Sequence, residues 1–391
     1  MTDLTTFLAG STLPELLESS GLEDPVAFIT RFESSFLTAL GFPGSMATAE
    51  TTHHQWAEDA LNPDAGTLDD ATLSAVATTI NVTAGQGVRF RAGDILQFDG
   101  SRELIRVTSV ATDALTVTRA ERGTTGETQV IGDVLEVVNN PNNEAGTAKT
   151  ARPTTLTRGD NYTELFDDTA SVTGAMRKSK NIGNVGDQLD HQVLRVQQDL
   201  IRRIARTVVN GKRQSSSPEG DGSAGGERTM DGIIQMLLGG SDSVVVDAAT
   251  GALTEDLLNQ ALEDSWNRGG RPTLLAASTK QKRAISKLME GRVRFSGEDN
   301  VLGVVVERFV SDFGIVDVME PDKYIPKDAV LIVDRARLAI AKLGTDGNPF
   351  EETELSKTGH VDNRLVSIEL TLEAKNTSDG GHALIHNLSA A

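Results

Sequence analysis

The chain contains no cysteine, which excludes disulfides, thiolate metal centres and cysteine nucleophiles and suits a reducing compartment. Aromatic residues are scarce, at 4% with two Trp and two Tyr, which fits aliphatic cores better than a ligand-binding barrel lined with rings. No run approaches the roughly 20 apolar residues of a membrane span. The start MTDLTTFLAGSTLPELL lacks the basic n-region and long apolar h-region of a signal peptide, so the sequence reads as cytoplasmic and soluble. Positive charge is also short: 37 Lys and Arg face 56 Asp and Glu, a formal net charge of -19. That balance argues against free-standing, sequence-specific DNA binding.

The shortage is uneven. Residues 1–75 hold one basic residue, Arg31, against twelve acidic ones. Residues 177–213 hold nine basic residues against three acidic ones, Asp187, Asp190 and Asp199, a net of +6. Such a lopsided molecule is expected to present distinct partner-facing surfaces.

What is present is an α+β pattern long enough, at 391 residues, for two or three substructures. Helices are predicted over 14–20 and 25–40, each with Pro near its start, the second ended by Gly41, Pro43 and Gly44. THHQWAEDAL, in 51–61, reads as extended. From about 75 to 138, TTINVTA, GDILQFDG, ELIRVTSV, ALTVTRA and GDVLEVV alternate like short strands of a small sandwich or barrel. This module is followed by an Asn-, Pro- and Gly-rich hinge, NNPNNEAGTAKTARP. After a strand-like DNYTELFDDTASVTG comes the strongest helix, 185–210, with Leu189, Val193, Val196, Leu200, Ile204 and Val208 on one face. Arg195, Arg202 and Arg206 fall on the other. A low-complexity loop, QSSSPEGDGSAGGE, precedes helices at 230–238, 253–268 and 279–290, the strand TLLAAS, a strand pair around SDFG, a second pair DAVLIV with LAIAKL, and a long strand LVSIELTLEA.

Chemical motifs are weak. Gly220, Gly222 and Gly225 satisfy G-x-G-x-x-G, yet SSSPE precedes them where a dinucleotide site needs a strand, so the reading is a loop. VVNGKR superficially resembles a P-loop but carries Arg206 and Arg213 where Gly and Ser or Thr are required. His53 and His54 are adjacent, so they point to opposite sides of a strand and, with Glu58 nearby, make no shared metal site. No H-E-x-x-H or G-x-S-x-G occurs. Catalytic, cofactor-binding and metal-ligating residues are therefore assigned to none. The Arg195, Arg202, Arg206 stripe reads either as a solvated face with intrahelical pairs such as Asp199 to Arg203, or as a surface that screens phosphate charge without reading bases.

Three stretches carry a family resemblance. Residues 29–61 include Trp56, Glu58 and Asp59 in a W-x-E-D segment; residues 158–212 include Arg158, Asn161, Tyr162 and Thr163 in an R-x-x-N-Y-T strand before the long helix; residues 308–391 include Val310, Ser311, Asp312, Phe313 and Gly314 in a V-S-D-F-G turn. Together they resemble the major head, or capsid, proteins of tailed bacteriophages. The resemblance implies the Hong Kong 97-type capsid fold: an N-terminal arm (1–45), an extended loop (46–170) carrying the β module as an insertion, a peripheral domain with the spine helix (171–225, returning at 345–391) and an axial domain (226–344). It implies a non-enzymatic shell protein without cofactor that self-associates as hexamers and pentamers, meets scaffold, portal and decoration proteins, and touches packaged DNA non-specifically. Location would be the virion, and host cytoplasm during assembly. Arg177, Lys178 and Lys180 would join Arg195, Arg202 and Arg206 in a genome-facing or inter-subunit basic stripe. Some capsids of this fold are locked by a lysine-to-asparagine bond from the extended loop. Lys149 is the first lysine of the chain and stands at the hinge, poorly placed for such a bond, so a non-covalent shell is expected. The alternatives are an encapsulin-like compartment shell of similar fold, or an enzyme using the β module as a binding domain.

Overall fold

The computed structural model describes residues 33–59, 61–142, 144, 146, 149, 154, 156–178, 187–214, 228–240, 243–289, 308–344, 349–357 and 359–389. The predicted helix at 14–20, most of that at 25–40, the glycine motif at 220–225 and Lys180 lie outside these residues. The chain divides into two compact units, one formed by 1–58 with 158–391 and the other by 59–157.

In the first unit the longest strand, Val361–Ala374, is the centre of a sheet. It runs antiparallel to Glu164–Thr173, Leu338–Leu343 and Glu351–Glu354. Ala47–Ala49 adds a parallel edge to Leu338–Leu343. The helix Gln188–Asn210 packs on this sheet. Asp187 caps it by accepting from the Leu189 N–H at 2.9 Å, satisfying one of the orphan donors of a helix start. Leu189, Val193, Leu200, Ile204 and Val208 are buried as their spacing predicts, against Phe166, Ala170, Val172, Val366, Ile368 and Leu370. Each such side chain contributes roughly 1.5–3 kcal/mol of burial. Stretches 47–49 and 164–170, expected in the extended loop, are thus sheet strands. The end of the expected arm is also core: Phe36, Leu37, Leu40 and Phe42 are buried. The Ser34 hydroxyl donates to the buried Asp322 at 2.5 Å, and that carboxylate also accepts the Phe36 N–H at 3.1 Å.

A second sheet runs in the order Val244–Asp247, His382–His386, Val330–Val333, Leu274–Ala277, Gly314–Val318, Arg308–Ser311. The predicted pairing of DAVLIV with LAIAKL does not occur. Val330–Val333 pairs with Leu274–Ala277 and His382–His386, while Leu338–Leu343 goes to the first sheet. The reason is burial. All four residues of Val330–Val333 are buried, so this strand needs cover on both faces. Leu331 and Val333 join the core of the long helix, whereas Val330 and Ile332 face helices Glu255–Asn267 and Thr279–Met289 through Leu258, Ala261, Leu262 and Ile285. A 3-10 turn at Arg335–Arg337, capped by Asp334 on the Ala336 N–H at 3.0 Å, redirects the chain between the sheets.

The second unit is a six-stranded antiparallel sheet in the order Ala65–Thr67, Val134–Asn139, Ile95–Phe98, Ile105–Ala111, Ala114–Thr118, Thr79–Asn81. A bridge between Leu68 and Val82 joins the two outer strands, so the sheet closes on itself as a small barrel and leaves no open edge. Leu96, Phe98, Ile105, Leu115 and Leu135 fill it. The unit is longer than the predicted 75–138, because Ala65–Thr67 and Thr72–Leu73 pair with strands late in the segment.

Glu103 and Arg119, with side chains 0% and 6% exposed, form a bidentate pair at 2.7 and 2.5 Å. Burial raises the pKa of the Glu103 carboxyl, but hydrogen bonds from Arg119, Glu127 and Ala120 outweigh burial and hold it below its ordinary value. Arg119 also donates to the Ser74 and Glu127 carbonyls, so this pair ties four loops together. Breaking a buried pair on one side costs about 3–5 kcal/mol. Arg119→Met is therefore expected to lower the unfolding free energy of the barrel by that amount, moving its denaturant midpoint down, and to leave the transition of the other unit in place. Equal loss in both units, followed by residue-resolved hydrogen exchange, would refute the assignment of this pair to the barrel alone.

Candidate functional site, a polar joint at the root of a ribbon

The chain leaves and re-enters the first unit through a two-stranded ribbon, His53–Glu58 with Thr157–Tyr162. Where the ribbon meets the first sheet, apolar packing gives way to a joint of buried polar groups. Asn161 is fully buried and uses its whole amide. Its Nδ2 donates to the Asp231 carbonyl at 3.1 Å and the Leu372 carbonyl at 2.9 Å. Its Oδ1 accepts the Tyr162 and Asp231 N–H groups at 2.9 and 3.0 Å. A residue able to donate twice and accept twice is what this site requires. Thr163, also fully buried, donates to Glu369 at 2.5 Å, and its N–H reaches the Thr52 carbonyl at 2.9 Å. Arg228 closes this side by donating to the Thr163 carbonyl at 2.7 Å and to Glu369.

On the ribbon itself the Tyr162 ring has two close neighbours. The His53 ring stacks on it at 4.6 Å, and the Arg213 guanidinium lies over it at 4.5 Å. Both partners converge on Asp160, at 2.8 Å from His53 and 2.6 Å from Arg213. Partial burial raises the Asp160 pKa, and the hydrogen bonds from His53 and Arg213 more than offset it, so the group stays ionised below the usual range. His54 points to the opposite face, 3.1 Å from Glu373. Trp56 donates to Glu58 at 2.8 Å, and Glu58 accepts the Asn376 N–H at 2.8 Å. Gly159 lies under the indole, where a Cβ would come within 2.3 Å of Nε1, so no larger residue fits. Among the described residues, five segments of the chain are fastened here.

A family model described as SU10 major capsid protein matches residues 4–389. The chain belongs to the SU10 major capsid protein family. No curated protein matches the chain. Among solved structures, the cyanophage A-1(L) capsid is similar at 11% identity and a TM-score of 0.54, with 100% of each chain covered. The capsid of the native GTA particle is similar at 10% identity and 0.54, with 99% of each covered. These likenesses show the Hong Kong 97-type fold. The SrpI encapsulin of Synechococcus elongatus PCC 7942 is similar at 14% identity and 0.41, covering 61% of this chain and 79% of that one.

In this capsid subunit the motif residues divide. Trp56, Glu58, Asn161, Tyr162 and Thr163 are brought together in the joint. Asp59 and Arg158 are exposed and take no part in it. Ser311, Asp312, Phe313 and Gly314 form the turn of the hairpin Arg308–Val318 in the second sheet. There Ser311 donates to Asn259 at 2.9 Å, and Gly314 adopts φ +145. Phe313 and Gly314 line a groove of about 330 Å³ with Leu262, Trp266, Pro272 and Ile315. Asp160, Arg213, Arg228, Glu369 and Glu373 escaped the sequence reading. Arg213 occupies the Ser or Thr position of the failed P-loop match, and nothing local signals that it folds back onto Tyr162.

The basic stripe is altered by its neighbours. Arg195, Arg202 and Arg206 share the face opposite the buried one. Asp199 pairs with Arg202 at 2.7 Å, and not with Arg203, which reaches Asp168 at 2.8 Å on the sheet. Arg195 donates to Gln198 at 2.9 Å. Arg206 is exposed, its guanidinium 6.0 Å from the centre of the Tyr324 ring. Arg177 pairs with both Asp187 and Asp362 at 2.7 Å, which raises its pKa and offsets its charge. Lys178 is exposed.

Asn161→Ala would strand buried donors and acceptors at about 1–3 kcal/mol each, and a loss of about 3 kcal/mol or more in chemical denaturation is expected. Asn161→Asp keeps the acceptor but turns a carboxylate toward the Asp231 and Leu372 carbonyls. Its folded-state pKa is raised, so its penalty should be largest near neutral pH and shrink as the pH falls and the carboxyl gains a proton to donate. A penalty independent of pH would refute this account of the joint.

Proposed function

We propose that copies of this chain associate as hexamers and pentamers into the icosahedral shell of a tailed phage, enclosing its double-stranded DNA, without catalysing a reaction. The family match over residues 4–389 carries the reading. The polar joint that fastens the ribbon supports it, because a function spread over many weak contacts needs anchored surface elements more than a pocket. Arm, extended loop, peripheral and axial domains are the parts through which copies would bond, assembly taking place in host cytoplasm with scaffold, portal and decoration proteins as further partners. The motif residues of the joint would fasten the ribbon to the first sheet.

The shell is proposed to be non-covalent. Lys149, exposed at the hinge, donates to the main-chain and side-chain oxygens of Asn140 in its own chain. Electron microscopy of the expressed protein should show closed round particles, and the same particles boiled in SDS should run as monomers. Absence of shells would overturn the capsid reading; a covalent ladder would overturn only the non-covalent one.

Arg195, Arg202 and Arg206, with Arg177, Lys178 and Lys180 near by in sequence, are proposed to supply genome-facing charge, since a wall facing duplex at one charge per ~1.7 Å gains from positive density. Arg177 is offset by two carboxylates and Arg202 by one, and Arg195, Arg202 and Arg206 are the set to replace because they share the helix face opposite the core. Replacing these three with Gln should leave empty shells normal and make full particles less stable as packaged length grows. Failure of empty shells to form would instead assign the stripe to a subunit interface, with the acidic residues of 1–75 as its partner.

A further inference from the structure

The two helices on the outer face of the second sheet carry opposite charge. Glu255–Asn267 contains Glu255, Asp256, Glu263 and Asp264 and no basic residue. Thr279–Met289 contains Lys280, Lys282, Arg283 and Lys287 and no acidic one. The basic character begins earlier: residues 268–289 hold six Lys and Arg and no Asp or Glu, a second positive segment that the charge count over 177–213 does not reveal. Both helices bury one face in the same core, through Leu258, Ala261 and Leu262 on one and Ile285 on the other. Opposite those residues, at steps of three or four, lie Asp256, Gln260, Glu263 and Asn267 on the first helix and Arg283 and Lys287 on the second, all exposed. Among the described residues, Asp256, Glu263, Asp264, Arg283 and Lys287 form no ion pair within the chain. Lys280 and Lys282 are different, since they donate to the Ser389 and Val318 carbonyls at 2.6 and 3.2 Å.

The helices also occupy different parts of the sheet. The acidic one lies over Val244–Asp247 and His382–His386 at one edge, and the basic one over Leu274–Ala277 toward the other. We propose that this layer is a bipolar, head-to-tail interface in which the acidic helix of one copy meets the basic helix of the next around a ring. Duplex DNA is the poorer occupant, because it would meet the acidic helix beside the basic one. A second copy matches both charges at once, and a heterologous contact of this kind closes into rings. The groove lined by Trp266 and Ile315, 44% and 60% exposed, supplies apolar surface beside the charged faces. The inference rests on the shell reading above.

Two reversed chains test it: Asp256→Lys, Glu263→Lys and Asp264→Lys together in one, and Arg283→Glu with Lys287→Glu in the other. Each alone presents like charges across every contact, and the concentration needed for ring formation should rise about tenfold or more. Mixed in equal amounts, the two should assemble again by alternation. Alternation closes only even rings, so native mass spectrometry should find six-membered rings with three of each chain and no five-membered ring. All five changes in one chain should restore both ring sizes. Recovery on mixing also shows that each variant is folded. Reversed chains that assemble like the wild type, or a mixture no better than its components, would overturn the inference while leaving the shell reading intact. A wild-type chain that forms no ring would overturn both.

Discussion

Ten consecutive register pairs hold Glu164–Thr173 against Val361–Leu370, and most of the first unit depends on that ladder. It joins segments from opposite halves of the chain, so closing it carries a loop-entropy cost that only burial can offset. One face of the ladder presents Phe166, Ala170, Val172, Val366, Ile368 and Leu370 to the long helix. Within its last pairs Glu369 reaches Arg228, and just beyond its end Leu372 offers a carbonyl to Asn161 and Glu373 reaches His54. A single long strand therefore supplies the floor of the apolar core and the acceptors of the polar joint. If its register slipped by one residue, the apolar set would turn outward and the joint would lose its carboxylates together.

Polar satisfaction explains why the joint sits where it does. A ribbon that leaves a sheet must end several hydrogen-bond ladders within a few residues, and buried ends left unpaired cost about 1–3 kcal/mol each. Asn161, Thr163 and Arg228 complete those ends with side-chain groups, and the contacts of His53 and Arg213 with the Tyr162 ring restrain the strand from the side. The barrel of residues 59–157 meets the same demand differently: closure removes its edges, and the Glu103–Arg119 pair gathers its loops. Each device holds its own unit in one defined arrangement, which suits a capsid protein that works by repeating contacts with copies of itself.

Charge is partitioned in a similar way. Much of the positive charge near the long helix is already spent inside the subunit, on Asp187 and Asp362 by Arg177, on Asp199 by Arg202 and on Asp168 by Arg203. A formal count along the sequence therefore overstates what that face can offer a partner. The outer helices of the second sheet are the opposite case, modest in net charge as a pair but with each sign left exposed on its own helix. Which charges are available to a partner follows from the distances between side chains and not from their totals.

The sequence by itself determined the local elements: the long helix from its three-and-four spacing, the alternating strands of the barrel, the hairpin at Ser311–Gly314 and the apolar strand Val330–Val333. These follow from periodicity and turn chemistry, which act over a few residues. It also carried the family, because Trp56, Glu58, Asn161, Tyr162 and Thr163 stand in recognisable order. Tertiary structure alone decided that Val330–Val333 and Leu338–Leu343 part into different sheets, that His382–His386 inserts between Val244–Asp247 and Val330–Val333 in the second sheet, and that the barrel begins before its first obvious strand. It alone brought Arg213 onto Tyr162, Arg228 onto Glu369 and Asn161 onto Asp231. Those partners are far apart along the chain, and a hydrogen bond between distant residues leaves no periodic trace in either segment; only the closure of the intervening loops puts donor and acceptor within 3 Å.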